Sequence, residues 1–201
     1  MTATEATARR PGRPRSAEAD TAIIDATLEL IVDGGIDGLS VESVAARAGV
    51  GKATIYRRWA NKDELVEDAL ASLSDTLPEI PDADTARERL VVMVDQIRAK
   101  NVETCSGRLM PRMLSYATQH PELFRHYYAS VIQPRRERYR VVLAAGMASG
   151  EIRPDLDVEL AATLIAAPML YLHLMQVGMG APRPGTSQAL VDMVLDGIRA
   201  R

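Results

Sequence analysis

The sequence predicts an all-α protein in two parts: an N-terminal three-helix unit with its connecting helix, and a larger C-terminal helical domain. Three observations carry that expectation. Apolar residues recur at three- and four-residue spacings from Ile23 to Val194, and no alternating run marks a strand. The 201 residues are 47% apolar with one Phe and one Trp, a composition that suits aliphatic helix packing. Glycines and prolines fall between the periodic segments, at Gly34-Gly35, Gly49, Pro78 to Pro81, Gly150 and Pro182 to Gly185.

The chain begins with residues 1–15, which lack apolar periodicity and include Arg9, Arg10, Arg13 and Arg15 among prolines and a glycine. This predicts a flexible basic arm. It either lies in a minor groove, as arginines in a Gly-Arg-Pro setting can, or adds only nonspecific affinity. Ser16 is expected to cap the first helix, whose Ile23, Ile24, Thr27, Leu28 and Ile31 form a buried stripe ending at Gly34-Gly35.

Ser40 to Leu65 is the stretch with the most definite reading, a DNA-binding helix-turn-helix. Ser40 caps a helix with Val41, Val44, Ala45 and Ala48 inward and Glu42 in its first turn. Gly49 supplies the left-handed residue of a sharp turn, and Val50 packs between the helices. A second helix, about Lys52 to Trp59, buries Ile55 and Trp59. That leaves Gly51, Lys52, Ala53, Thr54, Tyr56 and Arg57 for phosphates and base edges in a major groove. Asn61 with Glu64 starts the connecting helix, and Lys62 stands in its first turn, where the helix dipole opposes a cation. A DNA phosphate would be its partner. Arg47 is a further candidate DNA contact: from it to Lys62 there are five basic residues and no acidic one, in a chain of formal net charge −3. Up to Lys62 the balance is nine basic to eight acidic, so the expected surface is patterned rather than strongly basic.

The run SVESVAARAGVGKATIYRRWANKDELV resembles the signature of the TetR family of bacterial transcriptional regulators, over roughly Ala22 to Leu70. The Ala-Gly-Val turn, the Ile-Tyr pair, the aromatic at Trp59 and the Asn-Lys-Asp-Glu-Leu start all fall in register. The resemblance implies an all-helical homodimer with a three-helix DNA-binding domain and a larger domain that binds an effector and dimerises. It implies that Tyr56 and Lys62 touch phosphates and that residues from Gly51 to Arg57 meet bases. Two positions depart from the pattern: Gly51 stands where Ser or Thr often caps, and Trp59 replaces the commoner Phe.

The expected boundary lies where Leu77-Pro78-Glu79-Ile80-Pro81-Asp82 breaks helicity twice, giving a DNA-binding unit over 16–73 and a ligand-binding and dimerisation domain over 84–201. Helices are predicted from Asp84, over Ser106 to Gln119, and from Pro121 to about Ser149 with a kink near Pro134. Two more are predicted over Leu160 to Val177, bent at Pro168, and over Ser187 to Arg199. The last two are apolar over wide arcs, which assigns Leu164, Leu172, Leu190, Val191, Val194, Leu195 and Ile198 to a dimer interface. GEIRPDLD ahead of the proline-containing helix resembles a C-terminal region of the same family.

Candidate ligand contacts are Met93, Ile97, Met110, Met113, Leu114, Tyr116, Phe124, Tyr127, Tyr128, Met169, Tyr171 and His173. Methionines adapt to irregular cavities, and Tyr or His adds a polar handle. Plain core packing is the alternative for each, and Arg135, Arg136, Arg138 and Arg140 read as a solvated face. His120 and His126 are six apart with no carboxylate at i+4, so no metal site and no cofactor are expected. The single Cys105 excludes an internal disulfide and reads as an ordinary small side chain. No run of ~18 apolar residues and no signal-peptide core is visible, so a cytoplasmic protein with no membrane partner is expected. The leading function is a dimeric repressor that binds double-stranded operator DNA and is released by a small apolar or amphipathic effector. An activator of the same fold is the alternative; a helical ligand-binding protein or enzyme would need a nucleophile with a base, a metal cluster or a phosphate loop.

Overall fold

The computed structural model describes residues 15–76, 79–103, 105–180 and 185–197, and among them every regular element is helical. Arg13 and the rest of the predicted arm lie outside the described residues, as does the Arg15 side chain.

Helix α1 (Arg15–Gly34) packs against α2 (Val41–Ala48) and α4 (Lys62–Ala71), with the short α3 (Lys52–Tyr56) resting on α2. α1 already includes Ser16 as its second residue, so Ser16 is not the residue before the helix that was expected. Its buried Thr27 turns its hydroxyl back onto the Ile23 carbonyl at 2.8 Å, so a polar residue can occupy the apolar stripe. A 3₁₀ turn, Ser72–Thr76, follows α4.

The second half contains α5 (Ala86–Glu103), α6 (Cys105–Gln119), α7 (Pro121–Tyr127), α8 (Gln133–Ser149), α9 (Val158–Met179) and α10 (Ser187–Asp196). Pro121 takes the first position of α7 as expected. The predicted kink at Pro134 is instead a π turn, Tyr128–Ile132, between α7 and α8. Proline has no N–H for the carbonyl one turn back, and a wider turn just before it absorbs the mismatch. α9 runs two residues past the expected end at Val177, to Met179 with Gly180 (φ 64°) as its cap, and α10 ends at Asp196 with Gly197 (φ 75°) as its cap rather than at Arg199. Ile198 lies outside the described residues.

Two hydrophobic clusters result. One is made by α1–α4 together with Leu109, Met113 and Tyr116 of α6, and with Tyr127 and Val131. The other is made by α5, α8, α9 and α10. The packing seam therefore runs along α6 and α7, whereas the proline-rich break in the chain precedes α5. In the second cluster Gly146 faces Ala86 and Ile152 so closely that an added Cβ would lie 2.8 Å from the Ala86 Cβ and 2.7 Å from the Ile152 Cδ1. Gly146→Val should cost about 1–3 kcal/mol by overpacking, read as a lowered denaturation midpoint.

Val158–Gln176 of α9 has the length and apolarity of a membrane-crossing helix, contrary to the expectation that no such stretch exists. Its inner side packs on α5, α8 and α10. Its outer side leaves Leu160, Leu164 and Tyr171 about half exposed or more (55, 48 and 61%), joined by Met193 of α10 at 62%. The predicted dimer set thus divides. Leu164 faces outward, and Leu172, Leu190, Val194 and Leu195 are half-buried against the second cluster. Val191 is fully buried and belongs to the core. Helical spacing marks an apolar arc but cannot say which part of it the subunit's own neighbours cover.

Candidate DNA-binding surface and ligand cavity

The helix-turn-helix is built by caps. Ser40 and Ser43 form a reciprocal box, each backbone N–H donating to the other's hydroxyl at 3.1 Å. Gly49 sits at φ 66°, and the next residue, Val50, donates its N–H to the Ala45 carbonyl at 3.0 Å. Gly51 precedes α3 without a side-chain cap. α3 is shorter than predicted, although turns carry backbone bonds on to Trp59, whose N–H reaches the Ile55 carbonyl at 3.0 Å. Ile55 and Trp59 are buried, and the Trp59 indole N–H donates to Asp68 at 2.9 Å, tying the turn after α3 to α4. Asn61 caps α4 through the Glu64 N–H at 2.9 Å, and Glu64 reaches back to the Ala60 N–H at 2.9 Å.

This scaffold leaves Gly51, Lys52, Ala53, Tyr56 and Arg57 exposed, with Thr54 half-buried beside them. The basic run is less free in space than in sequence. Arg47 pairs with Glu29 at 2.9 Å and Asp33 at 3.6 Å, Lys52 with Glu42 at 2.9 Å, and Arg58 with Asp20 at 2.6 Å. The Lys52–Glu42 hydrogen bond raises the lysine's pKa and lowers the carboxylate's. Lys62 is half-buried and donates to the Ile36 carbonyl at 3.3 Å, so it has a partner inside the chain. Among the described residues Arg57 forms no ion pair. Exposed pairs of this kind contribute little once solvent and salt screen them, so phosphates can displace them. Glu42→Gln should free Lys52 and tighten DNA binding, whereas Arg57→Ala should weaken it, both read by titrating labelled duplex at fixed salt.

A cavity of about 210 Å³ lies between α5, α6, α8 and α9. Of the predicted ligand contacts, Ile97, Met110, Tyr128 and Met169 line it. Met113, Tyr116 and Tyr127 pack instead in the first cluster, and Met93 in the second. Leu114 and Phe124 are half-buried elsewhere, and Tyr171 is exposed on the outer face of α9. His173 is core, its Nε2 bonded to the Gly107 carbonyl at 2.7 Å.

Sequence reasoning missed Arg135, Arg136 and Tyr139, which also line the cavity. The arginine cluster is not one solvated face. Ile132, Arg135, Arg136 and Tyr139 are spaced i, i+3, i+4 and i+7, and continue into the buried Val142, Leu143 and Gly146. Two arginines on an inward stripe were the available signal. Arg140 does point outward, to Glu137 at 2.6 Å and Glu159 at 2.5 Å. Thr163, Ala166, Ala167 and Leu170 of α9 repeat the same spacing across the cavity. Burial pushes the Tyr139 phenol far above its ordinary range, so it stays a neutral donor.

Cys105 is half-buried against the first cluster, and burial pushes its thiol up despite Arg108 nearby. Alkylation at pH 7 should be slower than for an exposed thiol and should accelerate only above the ordinary thiol range, as followed by mass spectrometry.

A capped helix-Gly-helix with an exposed cationic second helix, joined to a helical bundle around a cavity, defines a DNA-binding protein with a ligand-sized chamber. Residues 23–69 match the family described as bacterial regulatory proteins, tetR family, and residues 80–194 match the tetracyclin repressor-like C-terminal domain. The chain belongs to the TetR family and is a helix-turn-helix transcriptional regulator. It is 32% identical over 161 residues to the uncharacterized HTH-type transcriptional regulator YdeS of Bacillus subtilis, covering 80% of each chain. It is also 32% identical over 158 residues to the DNA-binding transcriptional repressor TetR of Mycobacteroides abscessus, covering 74% of this chain and 76% of the relative. Among solved structures, the regulator FadR of Bacillus subtilis, in complex with stearoyl-CoA, superposes with a TM-score of 0.72 at 22% identity, over 89% of this chain and 99% of that one. A regulator from Saccharomonospora viridis, in complex with choline, gives 0.67 at 20% identity, over 90% and 95%. At these identities the two structures speak for the fold.

Proposed function

We propose that this regulator is a cytoplasmic, non-enzymatic homodimeric repressor, released from operator DNA when a small amphipathic effector fills the cavity. One observation carries the reading: the elements that line the cavity also brace the helix-turn-helix. α6 turns Met110 to the cavity while Leu109, Met113 and Tyr116 pack among α1–α4. The π turn does the same, with Tyr128 and Ile132 at the cavity and Val131 in the other cluster. Polar bonds fix the contact: Tyr116 Oη accepts the Ile36 N–H at 2.7 Å, and Arg112 donates to the Val32 carbonyl at 2.8 Å near the end of α1. His126 Nε2 lies 3.0 Å from the Glu67 carbonyl of α4.

An occupant that separates α6 from α8 therefore moves the seats of α1 and α4, and with them the spacing of two recognition helices in a dimer. That spacing must match half-sites on the order of 34 Å apart, or a small multiple. The repressor relative in Mycobacteroides abscessus and the ligand-bound solved structures support the assignment. The predicted surface residues Arg47, Gly51 to Arg57 and Lys62 would meet DNA, with Arg13 and Arg15 of the basic arm as further contacts. The test is a screen of duplexes from around the gene itself, followed by titration with small molecules. A tight specific duplex that no cavity ligand displaces would leave a DNA-binding regulator without the proposed switch.

A further inference from the structure

Resting on that reading of the cavity, we propose that its ligand has an anionic head and an aliphatic or aromatic body, with the head seated on Arg135 and Tyr139. The Tyr139 hydroxyl and the Arg135 Nε are buried in the cavity wall without a hydrogen-bond partner. Among the described residues no carboxylate pairs with Arg135. A buried guanidinium N–H and a buried phenol O–H left unpaired are costly, and native structures give such groups partners. Arg136 differs in being held through its Nη atoms, which reach Tyr128 Oη at 2.9 Å, Thr163 Oγ1 at 2.9 Å and Glu159 at 3.4 Å, although its Nε is also buried without a partner. Glu159 is also engaged by Arg140 and forms no pair with Arg135. Of the two lining arginines, Arg135 is thus the one without an ion pair among the described residues, one helical turn from the neutral Tyr139 O–H donor. A carboxylate or similar oxyanion accepts from both, and a cation or a purely apolar molecule satisfies neither.

The remainder of the wall selects the body. Ile97, Met110, Ala166, Met169 and Leu170 offer apolar surface, with methionines that adjust to irregular shapes. The volume of about 210 Å³ exceeds the ~150 Å³ that admits benzene, so a ring or a medium chain fits.

The experiment is calorimetric titration of the full chain with octanoate, 1-octanol and octyltrimethylammonium, three probes sharing one tail. Octanoate should bind on the order of tenfold or more tightly than octanol, the scale of hydrogen bonds to a charged group, and the ammonium should bind more weakly still. Arg135→Gln should bring octanoate and octanol to similar affinities. Tyr139→Phe, which keeps the cavity's shape, should weaken octanoate several-fold and leave octanol unchanged, in proteins shown by thermal melting to be folded. Equal binding of octanoate and octanol by the unaltered protein, preference for the ammonium, no binding by any probe, or octanoate affinity unchanged in both variants would overturn the proposal. Arg135-dependent octanoate binding without any effect on operator affinity would leave this assignment standing and defeat the repressor switch instead.

Discussion

Leu164→Glu with Met193→Glu is expected to yield monomers in sedimentation that lose operator binding by about 10²-fold or more, because two linked half-site contacts become one. Leu160, Leu164, Pro168 and Tyr171 lie on one stripe of α9, spaced i, i+4, i+8 and i+11, and Met193 of α10 borders the same groove as Pro168 and Tyr171. The exposures of 48% at Leu164 and 62% at Met193 mean that a carboxylate at either is solvated in a monomer, so folding should survive. In a dimer paired through this face both charges would be desolvated against apolar side chains. Leu195→Glu is a poorer test, since Leu195 packs partly on the subunit's own core and its replacement would confound stability with assembly. A double variant that remained dimeric would move the interface away from α9 and α10.

The second large effect is expected at Tyr116. Tyr116→Phe removes the acceptor for the buried Ile36 N–H and should cost about 1–3 kcal/mol in urea denaturation, the penalty for an unsatisfied buried donor. Ile36 follows Gly35, which adopts φ 77° and comes so near that an added Cβ would lie 2.9 Å from the Tyr116 hydroxyl. The hydroxyl is therefore a tight joint between α6 and the turn after α1. Loosening it should also reduce the response of operator affinity to a cavity ligand, with less change in ligand affinity itself. An unchanged denaturation midpoint would mean that another group takes over the Ile36 N–H.

The DNA-binding motif was legible because its determinants are local. Ser40, Gly49 and the Asn61–Glu64 pair act within three or four residues, and the burial of Ile55 and Trp59 follows from their spacing. What stayed hidden depends on contacts across the chain. The acids that pair with Arg47, Lys52 and Arg58 lie on α1 and α2, ten to thirty-eight residues away in sequence, so a basic run read linearly overstated the free charge. Arg135 and Arg136 were grouped with Arg138 and Arg140 by adjacency, although helical geometry turns the first two inward. The break before α5 marked a boundary in the chain, while packing joined α6 to the N-terminal helices. Leucines on α9 and α10 looked equivalent until their neighbours covered some and left others.

Cavity occupancy and operator binding are expected to be coupled. The most direct measurement is anisotropy titration of a labelled operator with the dimeric protein, alone and saturated with a compound that calorimetry shows to occupy the cavity. A coupling of about 1–3 kcal/mol predicts operator affinity lowered 5- to 150-fold, ligand affinity lowered by the same factor when operator is bound, and an intact dimer throughout. Identical operator affinities with the cavity empty and filled would contradict the account.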